Sequence, residues 1–426
     1  MPSKAPSNTQ SPQRHKEKKK IVFFHPDLGI GGAERLVVDA ALAYQSRGHN
    51  VTIATAHHEP HRCFSETADG TIDVIVRGDW LPRSCMGRLH AFFAYLRMIY
   101  LVIAVSLTTS YDVAFVDQVA ACIPFVHLIA KAKVLFYCHF PDMLLTQRKT
   151  LLKRLYRAPI DYVEETTTGM ADVIMVNSMF TRQTFFQTFT SLRSRDPLVV
   201  YPSLNFSSFD GQSFSTSAAN KLAGTMRPRV FLSINRYERK KNLSLALDAL
   251  AALRDELRSA DRAREWNDVH LVLAGGYDPR LQENVAYFDE LKARATTLDI
   301  QDHVTFIRSF SDADKVQLLL RCTCLVYTPD REHFGITPLE AMYMGRPVIA
   351  VNSGGPVETV VSASTHEPKD STGILCQQTS AEFGKAMLKM LDESFVRQLS
   401  SNCKQHVVSK FSFASFTQRL TRALNA

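Results

Sequence analysis

Short apolar runs recur along the chain at intervals that leave room for one helix between them. Lys20–Phe24 is the first, followed by a glycine-rich turn (Gly29, Gly31, Gly32), a helical stretch from Ala33 to about Arg47, and a stop at Gly48. The next run, 51–56, completes strand, loop, helix and strand, the βαβ unit of a parallel sheet. Runs at 71–76, 113–117, 133–139 and 172–178 predict further strands, and 198–203 closes the first half. A polar, Ser-rich stretch then predicts a linker over 206–228. The series restarts at 230–235 and continues at 269–276, 303–310, 324–330, 347–351 and 373–376, with helical windows such as 243–257 and 286–297 between strands. The expected architecture is α/β: two doubly wound Rossmann-like domains, 20–205 and 229–405, facing a cleft. Residues 406–426 are expected as a C-terminal helix turned back toward the first domain. Such sheets bind ligands outside the carboxyl ends of their strands.

Composition narrows the classes rather than the fold. At 426 residues, 45% hydrophobic and 22% charged, the chain is ordinary globular usage, which excludes collagen, coiled coil and wholesale disorder. The net charge of +8 is uneven: residues 1–20 carry six bases against Glu17, a local +5. A basic tail over 1–19 is expected to be disordered, with attraction to an anionic membrane face as the sharper reading. A nucleic-acid binder would spread its charge over the folded surface, so no nucleic-acid partner is expected. The eight cysteines show no zinc spacing, and reduced, buried thiols are expected, with Cys322 and Cys324 on one face of a strand. The segment Leu89–Leu107 reads as a helix with Phe92, Leu96, Ile99 and Ile103 on one stripe. Its uninterrupted apolar run, Met98–Val105, is too short for the ~20 residues that span a bilayer. Two readings stay open: a helix packed on the first sheet, or one partly sunk in a membrane interface with Arg88 and Arg97 near the headgroups.

Three motifs carry candidate chemistry. Gly31 and Gly32 lead into Ala33-Glu34 at a helix start, where free N–H groups suit a phosphate. The turn is neither GxGxxG nor a Walker A loop, so a plain βα turn remains an equal reading. Arg236-Tyr-Glu-Arg-Lys-Lys241 follows the first strand of the second half, and Arg236 and Lys241 can reach one diphosphate from that loop, with a solvated charge run as an equal reading. Glu332-His-Phe-Gly-Ile-Thr-Pro-Leu-Glu340 follows another strand. Its two carboxylates can accept hydrogen bonds from sugar hydroxyls, while amides of Gly335, Ile336 and Thr337 open toward an anion. Pro338 fits the first turn of a helix.

Taken together, GGAE after the first strand, Arg-x4-Lys and Glu-x7-Glu resemble the retaining GT-B glycosyltransferases that use nucleotide sugars, over about residues 20–425. The run Cys138-His-Phe-Pro-Asp-Met-Leu-Leu-Thr146 with HPDLGIGGAER (25–35) is similar, within that family, to the mannosyltransferases that extend the dolichol-linked precursor of asparagine-linked glycosylation. The resemblance implies transfer of mannose from GDP-mannose with retention, adding an α-1,3 and then an α-1,6 mannose to a dolichyl-diphosphate-linked chitobiose-mannose acceptor. Arg236 and Lys241 would hold the diphosphate, with amides of Gly31, Gly32, Gly335 and Ile336 and the Gly275, Phe334 and Thr337 positions completing the donor site. Glu332 would fix mannose hydroxyls, Glu340 the ribose, and His139 would sit over the donor sugar. No cofactor and no metal are implied.

The implied setting is the cytosolic face of the endoplasmic reticulum membrane. Membrane or acceptor contacts would come from Phe92, Leu96, Arg97, Ile99, Ile103, Arg148 and Lys149, with other glycosyltransferases of the pathway as further partners. Another GT-B transferase using a UDP-sugar and a different acceptor remains the alternative. A dinucleotide-dependent oxidoreductase is disfavoured by the missing GxGxxG.

Overall fold

The computed structural model describes residues 18–146, 148, 150–210 and 227–426. The basic tail as far as residue 17, Lys149 and residues 211–226 of the expected linker lie outside the described residues. Two parallel sheets form. The first has seven strands, β1 Lys20–His25, β2 Asn50–Thr55, β3 Asp73–Val76, β4 Val113–Asp117, β5 Lys133–Cys138, β6 Val173–Val176 and β7 Leu198–Val199, in the order β3-β2-β1-β4-β5-β6-β7. The second has six, β8 Arg229–Ile234, β9 Val269–Gly275, β10 Val304–Arg308, β11 Cys324–Tyr327, β12 Val348–Val351 and β13 Gly373–Cys376, in the order β10-β9-β8-β11-β12-β13. Both orders reverse direction beside their first strand, so each sheet has one switch point: β1/β4 in the first and β8/β11 in the second.

The inner strands are buried, as near-continuous Val, Ile, Leu and Phe runs require when helices cover both faces, while the edge strands β3, β7 and β10 are only partly so. Phe23 stacks on Phe115 across the first switch point at 4.5 Å. Phe231, Leu271 and Val326 join helices Leu243–Ser259 and Ser380–Lys389 in one core of the second sheet, and Leu232, Leu325 and Leu339 join a separate core on its other face. The predicted strand at 198–203 shrinks to two residues. Cys322 is not in a strand. It ends the helix Asp312–Arg321, where its amide donates to the Leu318 carbonyl at 3.1 Å, so the two thiols share no strand face. All eight cysteines are free, and six are buried.

The chain divides into two compact units, Met1–Leu135 with Met170–Asp172, and Phe136–Gly169 with Val173–Ala426. The division falls in β5, away from the polar stretch at 206–228. The reason is local: from Phe136 onward the chain is tied into the second unit, with the Tyr137 hydroxyl donating to the Val200 carbonyl at 2.8 Å and the Asn177 amide to the His139 carbonyl at 3.0 Å. The last helix, Phe413–Asn425, brings the Arg419 guanidinium over the Tyr201 ring at 4.9 Å.

Candidate active site

In the second unit the chain leaves β8 at its switch-point end and turns through Asn235–Asn242. Four bases crowd this loop, and the structure separates them. Lys241, its side chain 13% exposed, forms an ion pair with the Glu332 carboxylate, while the Arg236 side chain is 62% exposed and pairs with Glu238 at 2.9 Å. Lys240 also goes to Glu238, at 3.1 Å, and Arg239 to Glu290. Lys241 is held at its backbone by the Thr328 hydroxyl, which donates to its carbonyl at 2.7 Å. The Tyr327 hydroxyl, at the end of β11, donates to the same Glu332 oxygen at 3.3 Å. Burial pushes the Glu332 carboxyl up, but the adjacent Lys241 charge and the hydrogen bonds from Lys241 and Tyr327 outweigh it, so it titrates below the ordinary value.

The segment after Glu332 is clamped from several sides. The Gly355 amide donates to the Glu332 carbonyl at 2.7 Å, and a Cβ on Gly355 would overlap the backbone of Phe334. The Ser178 hydroxyl donates to the His333 carbonyl at 2.6 Å. Phe334 turns its ring into the core beside Tyr201 and Phe411, so the side chain expected at the donor site is a packing residue. Gly335 sits at φ +82°, a left-handed turn that favours glycine, and starts the helix Ile336–Tyr343 with no side-chain cap on its first N–H groups. Ile336 is exposed, Thr337 half-buried, and Glu340 buried one turn on. Glu340 pairs with Lys315 at 2.9 Å. Burial lowers the Lys315 ammonium, but Glu340 and Asp312 raise it further, so it stays charged. Gly275 ends β9 against the Asn235 carbonyl, where any Cβ would overlap. Beyond it, Arg308 lies over the Tyr277 and Phe288 rings at 5.0 and 5.1 Å.

His139 follows β5 in the same unit. Its neighbour Phe140 stacks on His333 with centroids 3.7 Å apart and planes 7° apart, which brings the HFPD run beside the Glu332 loop. Burial, then the charges of Lys241, His139 and Lys240, pull His333 down against Glu332, leaving it below the ordinary imidazole value. Glu358, in the short helix Pro356–Thr359, accepts from the Met179 and Phe180 amides at 2.7 and 2.8 Å and from the Tyr201 hydroxyl at 2.9 Å.

In the first unit, the turn with Gly31 and Gly32 opens the helix Gly32–Gln45, again without a side-chain cap. Under it, His25 at the end of β1 bonds Asp117 at the end of β4, Nδ1 to Oδ2 at 2.8 Å, both fully buried. Burial would lower His25, yet Asp117 and Glu34 raise it above the ordinary value. The helix His90–Ser106 has two faces. Arg97 is 4% exposed and pairs with Asp27 at 2.9 Å, so it is not a headgroup contact; an internal carboxylate claims it. Phe92 and Leu96 are exposed, with Ile99 and Ile103 partly so. Arg148 is also committed, to Asp161 at 2.9 Å and to the Met143 carbonyl at 2.8 Å.

Sequence reasoning missed Lys315 and Tyr327, which hold the predicted Glu340 and Glu332, and the contacts of His333 with Ser178 and Phe140. Lys315 lies outside every motif and reaches Glu340 only through the fold. Among the described residues, no group of three or more His, Cys, Asp or Glu side chains is placed to hold a metal ion, and no helix is long and apolar enough to cross a membrane.

The family profile described as Glycosyltransferase Family 4 matches residues 30–204, and that described as Glycosyl transferases group 1 matches residues 216–406. The chain is 51% identical to the human "Alpha-1,3/1,6-mannosyltransferase ALG2" over 411 residues, 95% of each chain. It is 50% identical to the mouse protein of the same name, over 94% of each. Among solved structures, sucrose-phosphate synthase from Thermosynechococcus elongatus is similar at a TM-score of 0.72 and 18% identity, covering 96% of this chain and 98% of that one, a likeness of fold. The fold is GT-B.

Proposed function

Because the chain belongs to the ALG2 family of alpha-1,3/1,6-mannosyltransferases, we propose how its residues carry the transfer. The family works in dolichol-linked oligosaccharide synthesis: the donor is a nucleotide sugar, the acceptor a dolichol-linked oligosaccharide, and the enzyme is associated with the endoplasmic reticulum. The donor is GDP-mannose, and mannose is transferred with retention, first in α-1,3 and then in α-1,6 linkage. Lys241 and Arg236 hold the diphosphate and offset the charge that grows on it as the sugar leaves, the largest source of rate acceleration in a water-poor site. The uncapped first-turn amides of the helix Ile336–Tyr343 add to that field. Glu332 fixes mannose hydroxyls, Glu340 the ribose, and His139 positions the sugar. The departing phosphate helps to remove the acceptor proton, so neither carboxylate acts as nucleophile, and with the cations in place no bound metal is needed. The observation that carries this reading is the Lys241–Glu332 pair at the β8/β11 switch point, with Phe140 stacked on His333 beside it.

The enzyme works at the cytosolic face of the membrane. Exposed Leu144, Leu145, Leu151, Leu152 and Leu155, with Lys153 and Arg154 exposed among them, give an apolar surface with basic flanks, the chemistry that suits an anionic lipid interface. Transfer from GDP-mannose and from UDP-glucose onto a phytanyl-diphosphate chitobiose-mannose acceptor, with and without EDTA, tests the assignment. Mannose transfer that survives EDTA is expected. Glucose transfer without mannose transfer overturns the donor, and loss in EDTA overturns the metal-free chemistry.

A further inference from the structure

The loop His139–Met143 is fixed at three points, and two of them belong to residues already described: Asn177 on the His139 carbonyl and His333 under the Phe140 ring. The third is Glu164, from the helix Leu151–Gly169. It is 7% exposed, and its two carboxylate oxygens accept separate hydrogen bonds from successive loop amides, Asp142 N–H at 2.7 Å and Met143 N–H at 3.0 Å. We propose that Glu164 is a positioning residue for the transfer, which sets His139 and Phe140 by chelating the two amides that follow them. The inference rests on the reading of His139 given above.

The chelate needs a carboxylate. A protonated carboxyl keeps one good acceptor oxygen, so one of the two amides loses its partner. The surroundings place that change near neutral pH. Burial and then the Asp142 charge push Glu164 up to about 7, against the two amides and Arg157, which pull it down. The charged groups in reach come from three segments. Asp142 is on the loop itself, Arg157 and Asp161 on the helix, and Arg148 on the connection between them; Arg157 bonds Asp142 at 2.8 Å and Asp161 at 3.0 Å, and Arg148 bonds Asp161 at 2.9 Å. A folded value above the unfolded one means that ionising Glu164 costs stability as pH rises to about 7. The form that positions the loop is therefore the form that burial disfavours.

The test is mannose transfer from GDP-mannose, measured against pH, by the full chain and by Glu164→Gln, His139→Ala and the double variant. In the wild type kcat should fall as pH drops through about 7, with the donor KM unchanged. Glu164→Gln should lose that limb and run at a plateau about 10-fold lower, the scale of a small misplacement. In the His139→Ala background, Glu164→Gln should add little. A wild-type profile flat through neutral pH, a limb retained in Glu164→Gln, or full additivity with His139→Ala each overturns the inference. An unaltered kcat in His139→Ala overturns instead the reading of His139. Should Glu164→Gln fail to fold, the wild-type profile still decides.

Discussion

Each sheet places a glycine-rich segment after a strand, β1 at the first switch point and β12 in the second sheet, and the two segments use glycine for opposite reasons. After β12, a Cβ on Gly355 would overlap the Phe334 backbone, and one on Gly354 the backbone of Glu332. Those glycines exist so that two loops can touch, and the contact fixes the carbonyl of Glu332. After β1, a Cβ on Gly32 would meet nothing within 4 Å, and one on Gly31 only the carboxylate tip of Glu34. Packing does not ask for glycine at position 32, which leaves this turn open. The charges divide in the same way: Glu332 is paired with Lys241 inside the second unit, while the first turn is left with uncapped amides. Similar composition thus encodes a clamp in one place and an opening in the other.

The comparison is tested most severely at the clamp. Lys241→Ala should lower kcat/KM by about 10²–10³, the scale of losing one preorganised charge contact, and should also destabilise the fold, because Glu332 loses its partner in a half-buried site. Arg236→Ala should lower activity while leaving thermal unfolding unchanged, since its exposed side chain holds only Glu238. Steady-state kinetics and unfolding scans on both variants separate the two, and near-wild-type rates in both would show that neither cation meets the diphosphate. Gly355→Ala comes next. It should cost about 1–3 kcal/mol of stability by overpacking and, by shifting the Glu332 loop, reduce transfer; an unfolding midpoint equal to wild type would remove the clamp from the account.

These effects mark where the sequence was readable. The strands and the motif loops follow from apolar runs broken by glycine, and every strand except the one at 198 lies where the pattern puts it, whereas strand order emerges only from the pairing in the folded sheets. Side-chain commitments do not follow, because they depend on partners far along the chain. Arg97 looks like a basic residue on an apolar helix and is in fact bound to Asp27, seventy positions away. Arg148 looks free in a basic run and serves Asp161. Phe334 sits inside the most specific motif and points into the core. A cluster of four bases reads as one patch in sequence, and geometry assigns three of them to Glu238 and Glu290.

A smaller effect is the pH dependence of the clamp. Glu332 titrates below its ordinary value of 4.5 when folded, so the pair stabilises the protein above that pH and the contribution is lost as pH falls through the folded value. Urea unfolding from pH 6 down to pH 3 should show this loss in the wild type and a shallower one in Lys241→Ala. Equal slopes would mean that Lys241 does not hold Glu332 ionised.

The smallest effect on the fold is expected at the opening, and it is the most discriminating. Gly32→Ala places a methyl at the first position of the helix Gly32–Gln45, where the space is empty and the backbone is not left-handed. Alanine restricts the unfolded chain and favours the helix, so stability should be unchanged or higher by up to about 1 kcal/mol. If an anion comes up to the amides of this turn, the same methyl stands in its way, and kcat/KM should fall although the protein is no less stable. Thermal unfolding and transfer kinetics on the one variant give both numbers. A rate equal to wild type would make the turn a plain strand-to-helix connection, and the contrast between clamp and opening would reduce to a difference in packing alone.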